Sequence, residues 1–83
     1  MKSEDIRRKH RDHMFPAVKN YYKESIAIAK GKGARVEDME GNSYLDFFGG
    51  ILTVSVGHAN EDVNREVIAQ INNLTHVSSL YPT

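Results

Sequence analysis

The spacing of apolar residues changes character along this chain. Residues 3–13, SEDIRRKHRDH, hold one apolar side chain, Ile6, with Met14 just beyond. Ser3 as a cap, with Glu4 and Asp5 in the first turn, predicts a helix running to about His13. Pro16 ends it, because a residue before proline is disfavoured in helical geometry. With so little apolar content, this helix lies on a surface or on a partner. From Tyr21 to Lys32 the pattern turns to weak alternation through Ile26 and Ile28, which predicts a strand ending at Gly31 or Gly33. Residues 34–39 and 43–47 are further strand candidates. Glu40-Gly41-Asn42 between them supplies residues that tolerate positive φ, so a hairpin is expected, with Val36 facing Tyr44, Leu45 or Phe47.

Phe48 to Gly57 breaks the alternation. Gly49 and Gly50 permit a sharp bend, and Ile51, Leu52, Val54 and Val56 supply apolar surface that a small domain struggles to bury. Helical period then resumes: Val63, Val67, Ile71 and Leu74 recur at i, i+4, i+8 and i+11 behind the capping residue Asn60. That helix should end near Thr75 or His76. Val77 to Thr83 has no period and reads as an extended exit from which a chain would continue. The predicted class is α+β: an N-terminal helix, a short antiparallel hairpin or meander, and an amphipathic helix.

Composition narrows the classes. At 83 residues one small domain at most is expected, with marginal stability. There is no cysteine, hence no disulfide and no thiolate metal cage. No run of 18 apolar residues marks a membrane span, and the opening MKSEDIRRKHRDH lacks the apolar stretch of a signal peptide; a cytoplasmic location is the default. Net charge is zero but divided: residues 1–35 hold ten of the eleven Lys and Arg, and residues 36–83 hold seven of the eleven acids. Nucleic-acid binding through Arg7, Arg8, Lys9 and Arg11 is the weaker reading of this asymmetry. Tyr21 and Tyr22 are the only adjacent aromatics in the basic half, and no stacking groove or finger accompanies them.

Local chemistry is sparse. His10 and His13 stand at i, i+3, but two ligands do not make a metal site, and no third is spaced to join them. His58 precedes a helix cap, where pinning the turn is a simpler role than catalysis. His76 suits a helix C-terminus. Gly31-Lys32-Gly33 leads into a strand and lacks the ending of a phosphate loop. Glu37, Asp38 and Glu40 miss the ligand spacing of a calcium loop. No acid–base pair, metal cage or triad can be assembled, so no catalytic or metal-binding residue is assigned.

The order of the motifs is more specific than any one of them. The segment GKGARVEDMEGNSYLDFFGGILTVSVGHANEDVNREVIAQINNLTHVSSLYPT resembles the N-terminal part of class III aminotransferases. These are pyridoxal-phosphate enzymes of fold type I that include the 4-aminobutyrate, ornithine and alanine–glyoxylate types. The residues in register are Gly31, Gly33, Val36, Asp38, Gly41, Tyr44, Asp46, Phe47, Gly50, Ile51, Gly57, His58 and His76. One departure is local: the family usually places His-Pro one residue after Gly-His, where this chain has Asn60-Glu61.

The resemblance implies a division at 1–29, an N-terminal helix and lead-in, and 30–83, part of the small domain, with the large cofactor domain absent. It implies that the parent moves an amino group from an amino acid or ω-amino donor to a 2-oxo acid, using pyridoxal 5'-phosphate. The implied partners are the remainder of the chain and a homodimer mate, with neither nucleic acid nor membrane. The phosphate cup, the ring-stacking aromatic, the Asp on the pyridine nitrogen and the Schiff-base lysine lie further along the family's chain. The segment is therefore expected to bind no cofactor and to be inactive alone. By position, Ile51 would line the substrate pocket, Gly50 would give backbone room, and Tyr81 would approach the mouth. Plain packing is the alternative role for Ile51. The rival to the whole reading is a non-catalytic module that self-associates or binds a partner.

Overall fold

Strand pairing is where the local patterns come together. In the computed structural model, which describes residues 1–83, β1 (Ile28–Lys32), β2 (Arg35–Asp38) and β3 (Ser43–Leu45) form an antiparallel meander in the order β1-β2-β3. Gly31 pairs with Val36 and Lys32 with Arg35, and the register slips between Ile28 and Lys30. Val36 faces Tyr44 and Arg35 faces Leu45. Phe47 falls outside β3 and is 95% exposed, so of the three partners proposed for Val36 only Tyr44 is directly opposite.

The hairpin joining β2 and β3 is organised by one carboxylate. Asp38 Oδ1 accepts from the backbone N–H groups of Glu40 and Asn42 at 3.0 and 2.8 Å. Its Oδ2 accepts from Asn42 Nδ2 at 3.0 Å and from the Tyr44 hydroxyl at 2.9 Å. These bonds, the Asn42 side chain foremost, hold the Asp38 carboxyl below its usual range, and the Tyr44 phenol is raised by its own bond to Asp38. Asp38 is one of three buried residues, with Ser3 and Ala27. A buried carboxylate needs such a set of donors.

Helix α1 (Ser3–His13) docks on that hairpin. Ser3 is the first helical residue rather than the cap, which is Lys2. The Ser3 N–H donates to Glu40 Oε2 at 2.8 Å and its hydroxyl to Glu40 Oε1, so the positive end of the helix holds a carboxylate from the turn. Arg7 Nη1 donates to the Ser25 carbonyl at 3.0 Å. Within the helix, Glu4 pairs with Arg7 and Asp5 with Arg8.

Two expected boundaries move. The strand predicted over residues 21–32 exists only from Ile28; the Tyr21–Ala27 stretch has no strand partner and crosses from α1 to the sheet. The long helix, here α3 (Glu61–Asn73), stops before Thr75, because Leu74 is already extended at φ −165°. Its start is as read: Asn60 Oδ1 accepts from the N–H groups of Asp62 and Val63, both at 3.1 Å. His76 consequently lies past the helix end, where its Nε2 accepts from Ser78 N–H.

No hydrophobic core forms. Ala27 is the only buried apolar residue, and Val63, Val67, Ile68 and Ile71 on α3 are exposed. The accessible surface is 7428 Å², against about 5,000 Å² for a compact protein of this mass. The radius of gyration is 16.5 Å, where a compact chain of this length has about 12 Å. The excess, about 2,400 Å² on this chain alone, is on the scale of one side of a large obligate interface, whose two faces together bury about 2,000–5,000 Å². No helix is long and apolar enough to cross a membrane.

Candidate functional site

After β3 the chain enters a left-handed turn, α2 (Gly49–Leu52), whose four residues have φ of 62°, 66°, 59° and 61°. The two glycines adopt this at no steric cost. Ile51 and Leu52 do not: left-handed geometry costs an ordinary residue roughly 1–2 kcal/mol, and a β-branched one is a genuine outlier there. Polar contacts hold the turn. Thr53 and Val54 N–H both donate to the Gly49 carbonyl, and the Thr53 hydroxyl donates to the Gly50 carbonyl.

The turn is also held from its start by Asp46. Its Oδ1 accepts from Phe48 N–H at 2.9 Å and Gly49 N–H at 3.0 Å. Its Oδ2 meets His58 Nε2 at 2.6 Å. The Gly49 N–H, then His58, then the Phe48 N–H, lower the Asp46 carboxyl to about 2. His58 is fixed in turn. Its N–H and carbonyl pair with the carbonyl and N–H of Gly33, both at 2.9 Å. Its ring lies so close over Gly31 that a side chain there would collide with it. The glycines and the Gly-His of the motif therefore lock the far end of the segment to the β1–β2 turn.

Beside this lock a concavity of about 830 Å³ opens, lined by Tyr21, Tyr22, Tyr44, Phe48 and Ile51 among others, with Asp46 and His58 also in its lining. Tyr21 packs edge-on against Phe48 with ring centroids 5.5 Å apart, joining the lead-in to the segment after β3. Of the residues expected at the substrate pocket, Ile51 lines this wall and Gly50 precedes it in the turn. Tyr81 lies beyond α3, is exposed, and does not line the concavity. His58 pins a turn, as its place before the helix cap suggests; what the sequence does not show is that its side-chain partner is Asp46, or that Tyr21, Tyr22, Tyr44 and Phe48 gather into one wall.

The residues present do not fit pyridoxal phosphate. All six lysines are exposed, Lys30 paired with Glu37 and Lys32 with Glu61. None has the desolvated surroundings that make a lysine nucleophilic. Asp46 has both oxygens committed to His58 and the backbone, leaving it unsuited to a pyridine nitrogen. No group of three or more His, Asp or Glu side chains is placed to hold a metal ion.

Comparison with known proteins places this geometry. The sequence profile of the family described as Aminotransferase class-III matches residues 17–83, starting well before Lys30, where the motif resemblance begins. The mitochondrial alanine–glyoxylate aminotransferase 2 of Pongo abelii is 40% identical over 72 residues, covering 87% of this chain and 14% of that protein. The acetylornithine aminotransferase of a Synechocystis species is 48% identical over 64 residues, covering 77% of this chain and 15% of that protein. The crystal structure of the ornithine aminotransferase from Toxoplasma gondii superposes over 100% of this chain and 19% of its own, with a TM-score of 0.85 at 30% identity. The α+β arrangement is thus that of a part of a fold type I transaminase. The chain spans about one seventh of the length of these curated relatives. With most of its residues inside the family profile, this chain belongs to the class III aminotransferases.

Proposed function

We propose that this chain is the N-terminal part of a transaminase that moves an amino group from an amino acid or ω-amino donor to a 2-oxo acid. Residues 1–29 form the lead-in and 30–83 a portion of the small domain. In the whole enzyme, pyridoxal 5'-phosphate supplies the electron sink, held by residues outside this chain; one Toxoplasma gondii ornithine aminotransferase structure is described with partial occupancy of that cofactor at its active site. Ile51 lines the donor pocket, Gly50 gives backbone room, and Tyr81 approaches the mouth once the rest of the enzyme is in place. The observation that carries the reading is the turn that presents Ile51, 70% exposed, beside an apolar aromatic wall inside a family-matched segment. Such a wall suits the aliphatic chain of ornithine or acetylornithine, donors named by several relatives. The site of action is the cytoplasm, and the assembly a homodimer.

The test is to express the source reading frame as a whole and assay amino transfer from ornithine, acetylornithine and alanine. Transfer from one of these, with Ile51→Ala raising its KM and leaving kcat near wild type, supports the reading. A whole protein that transfers no amino group overturns it. The 83-residue chain alone should retain no pyridoxal phosphate through gel filtration and should not transaminate.

The unburied apolar surface also favours the second reading, a non-catalytic module that covers this surface by self-association or on a partner. A stable, homogeneous oligomer of the 83-residue chain, with no longer product in its source, would favour it over the first.

A further inference from the structure

The left-handed turn Gly49–Leu52 is costly and buries nothing within this chain. Ile51 is 70% and Leu52 93% exposed, so apolar burial within this chain offsets little of the cost of their positive φ. A strained backbone persists only where its surroundings over-determine it, and the grips available are polar. The Asp46 side chain is largely buried, at 15% exposure, and its two oxygens do different work. One holds the N–H groups of Phe48 and Gly49 at the entry of the turn; the other meets His58. His58 is tied to Gly33 by two backbone bonds, and Asp46 N–H donates to the Ala34 carbonyl at 2.8 Å. A continuous path therefore runs from the rigid β1–β2 turn through His58 and Asp46 to the residues that set the direction of Ile51.

We propose that Asp46, braced by His58, is a positioning residue for substrate, holding the strained turn that presents Ile51 to the amino donor. This rests on the reading that Ile51 lines the donor pocket. Asp46 touches neither substrate nor cofactor; it acts through the turn. Without its grip the turn relaxes toward negative φ, the Ile51 side chain swings away from the wall, and donor binding weakens while the chemical step is untouched.

The experiment uses the whole transaminase, with ornithine or acetylornithine as donor, whichever it turns over. Asp46→Ala, which removes both oxygens, should raise the donor KM about ten- to a hundredfold, on the scale of one lost hydrogen bond to a charged group, with kcat within about twofold. His58→Leu should do the same. His58→Gln, which can keep a side-chain N–H toward Asp46, should stay near wild type. The decisive variant is Leu52→Gly in the Asp46→Ala background. Glycine accepts the left-handed geometry without strain, so it should recover part of the lost KM, which a purely structural role for Asp46 would not produce.

An unchanged donor KM in Asp46→Ala, a fall in kcat alone, or no recovery with Leu52→Gly overturns the proposal. If Asp46→Ala yields no folded enzyme, His58→Leu carries the same expectation, and an unchanged donor KM there overturns the proposal in its place. Ile51→Ala separates the two levels. If it leaves the donor KM unchanged, the pocket reading fails and the proposal falls with it. If it raises KM while Asp46→Ala does not, the positioning role alone is wrong.

Discussion

Gly31 and His58 approach so closely that a β-carbon at residue 31 would stand 2.8 Å from Cγ of the imidazole and 2.9 Å from its Cβ. Those are the ring's attachment atoms and not a flexible tip, so the ring cannot slip aside without moving the backbone it hangs from. That backbone is itself paired with Gly33. Gly31→Ala should therefore destabilise the whole enzyme by roughly 1–3 kcal/mol, the usual cost of forcing extra volume into a tight contact. Urea unfolding of wild type and variant measures it, and a shift below about 0.5 kcal/mol, the ordinary range for an unconstrained surface site, would show that the contact is not a constraint.

Asp46 links the same region to pH. Its carboxyl is lowered to about 2 by the Gly49 N–H, His58 and the Phe48 N–H. The unfolded chain has an ordinary carboxyl near 3.9. A depressed carboxyl stabilises the folded state above the unfolded value and loses that contribution as pH falls through the folded one. The turn should thus stay protected at pH 4 and loosen as pH approaches 2. Hydrogen exchange of the Phe48 and Gly49 amides reports this directly, and in Asp46→Asn the step should vanish. Asp38, lowered in the same direction by Asn42 and its other donors, adds to acid sensitivity of the β2–β3 hairpin.

Asn60 caps α3 with one oxygen shared between two N–H groups. Asn60→Ala should cost about 0.5–2 kcal/mol and Asn60→Gly only a few tenths, because glycine leaves the helix end open to water. The ranking of the two variants in denaturant unfolding is the test; no loss in either would mean that the Asn60 side chain contributes nothing.

The isolated chain should reveal its missing surfaces. With Ala27 as the only buried apolar residue, it should bind a hydrophobic dye strongly, sediment with a concentration-dependent mass and unfold without a sharp transition. A dye-silent monomer with a steep urea transition would contradict this open, coreless arrangement.

Much of the local structure is legible in the residues themselves. The start of α3 follows from Asn60 and the spacing of Val63, Val67 and Ile71. The β2–β3 hairpin follows from Glu40-Gly41-Asn42, and the family from motifs held in register between Gly31 and His76. These are short-range or pattern properties, determined by neighbours a few positions away. The boundaries that moved did so for tertiary reasons. Tyr21 to Ala27 has strand-like residues but no strand beside it; Arg7 meets its Ser25 carbonyl and Phe48 packs on Tyr21 instead. Other relationships join residues remote in sequence, such as Ser3 with Glu40, Asp46 with His58, and Gly31 with the His58 ring. No period or propensity encodes which carboxylate meets which partner; only the path of the chain through the meander brings them together. The left-handed turn that directs Ile51 is of the same kind. Two glycines permit it, but Ile51 and Leu52 oppose it. It exists because Asp46, fixed from the sheet by His58, holds the backbone where sequence alone would not place it.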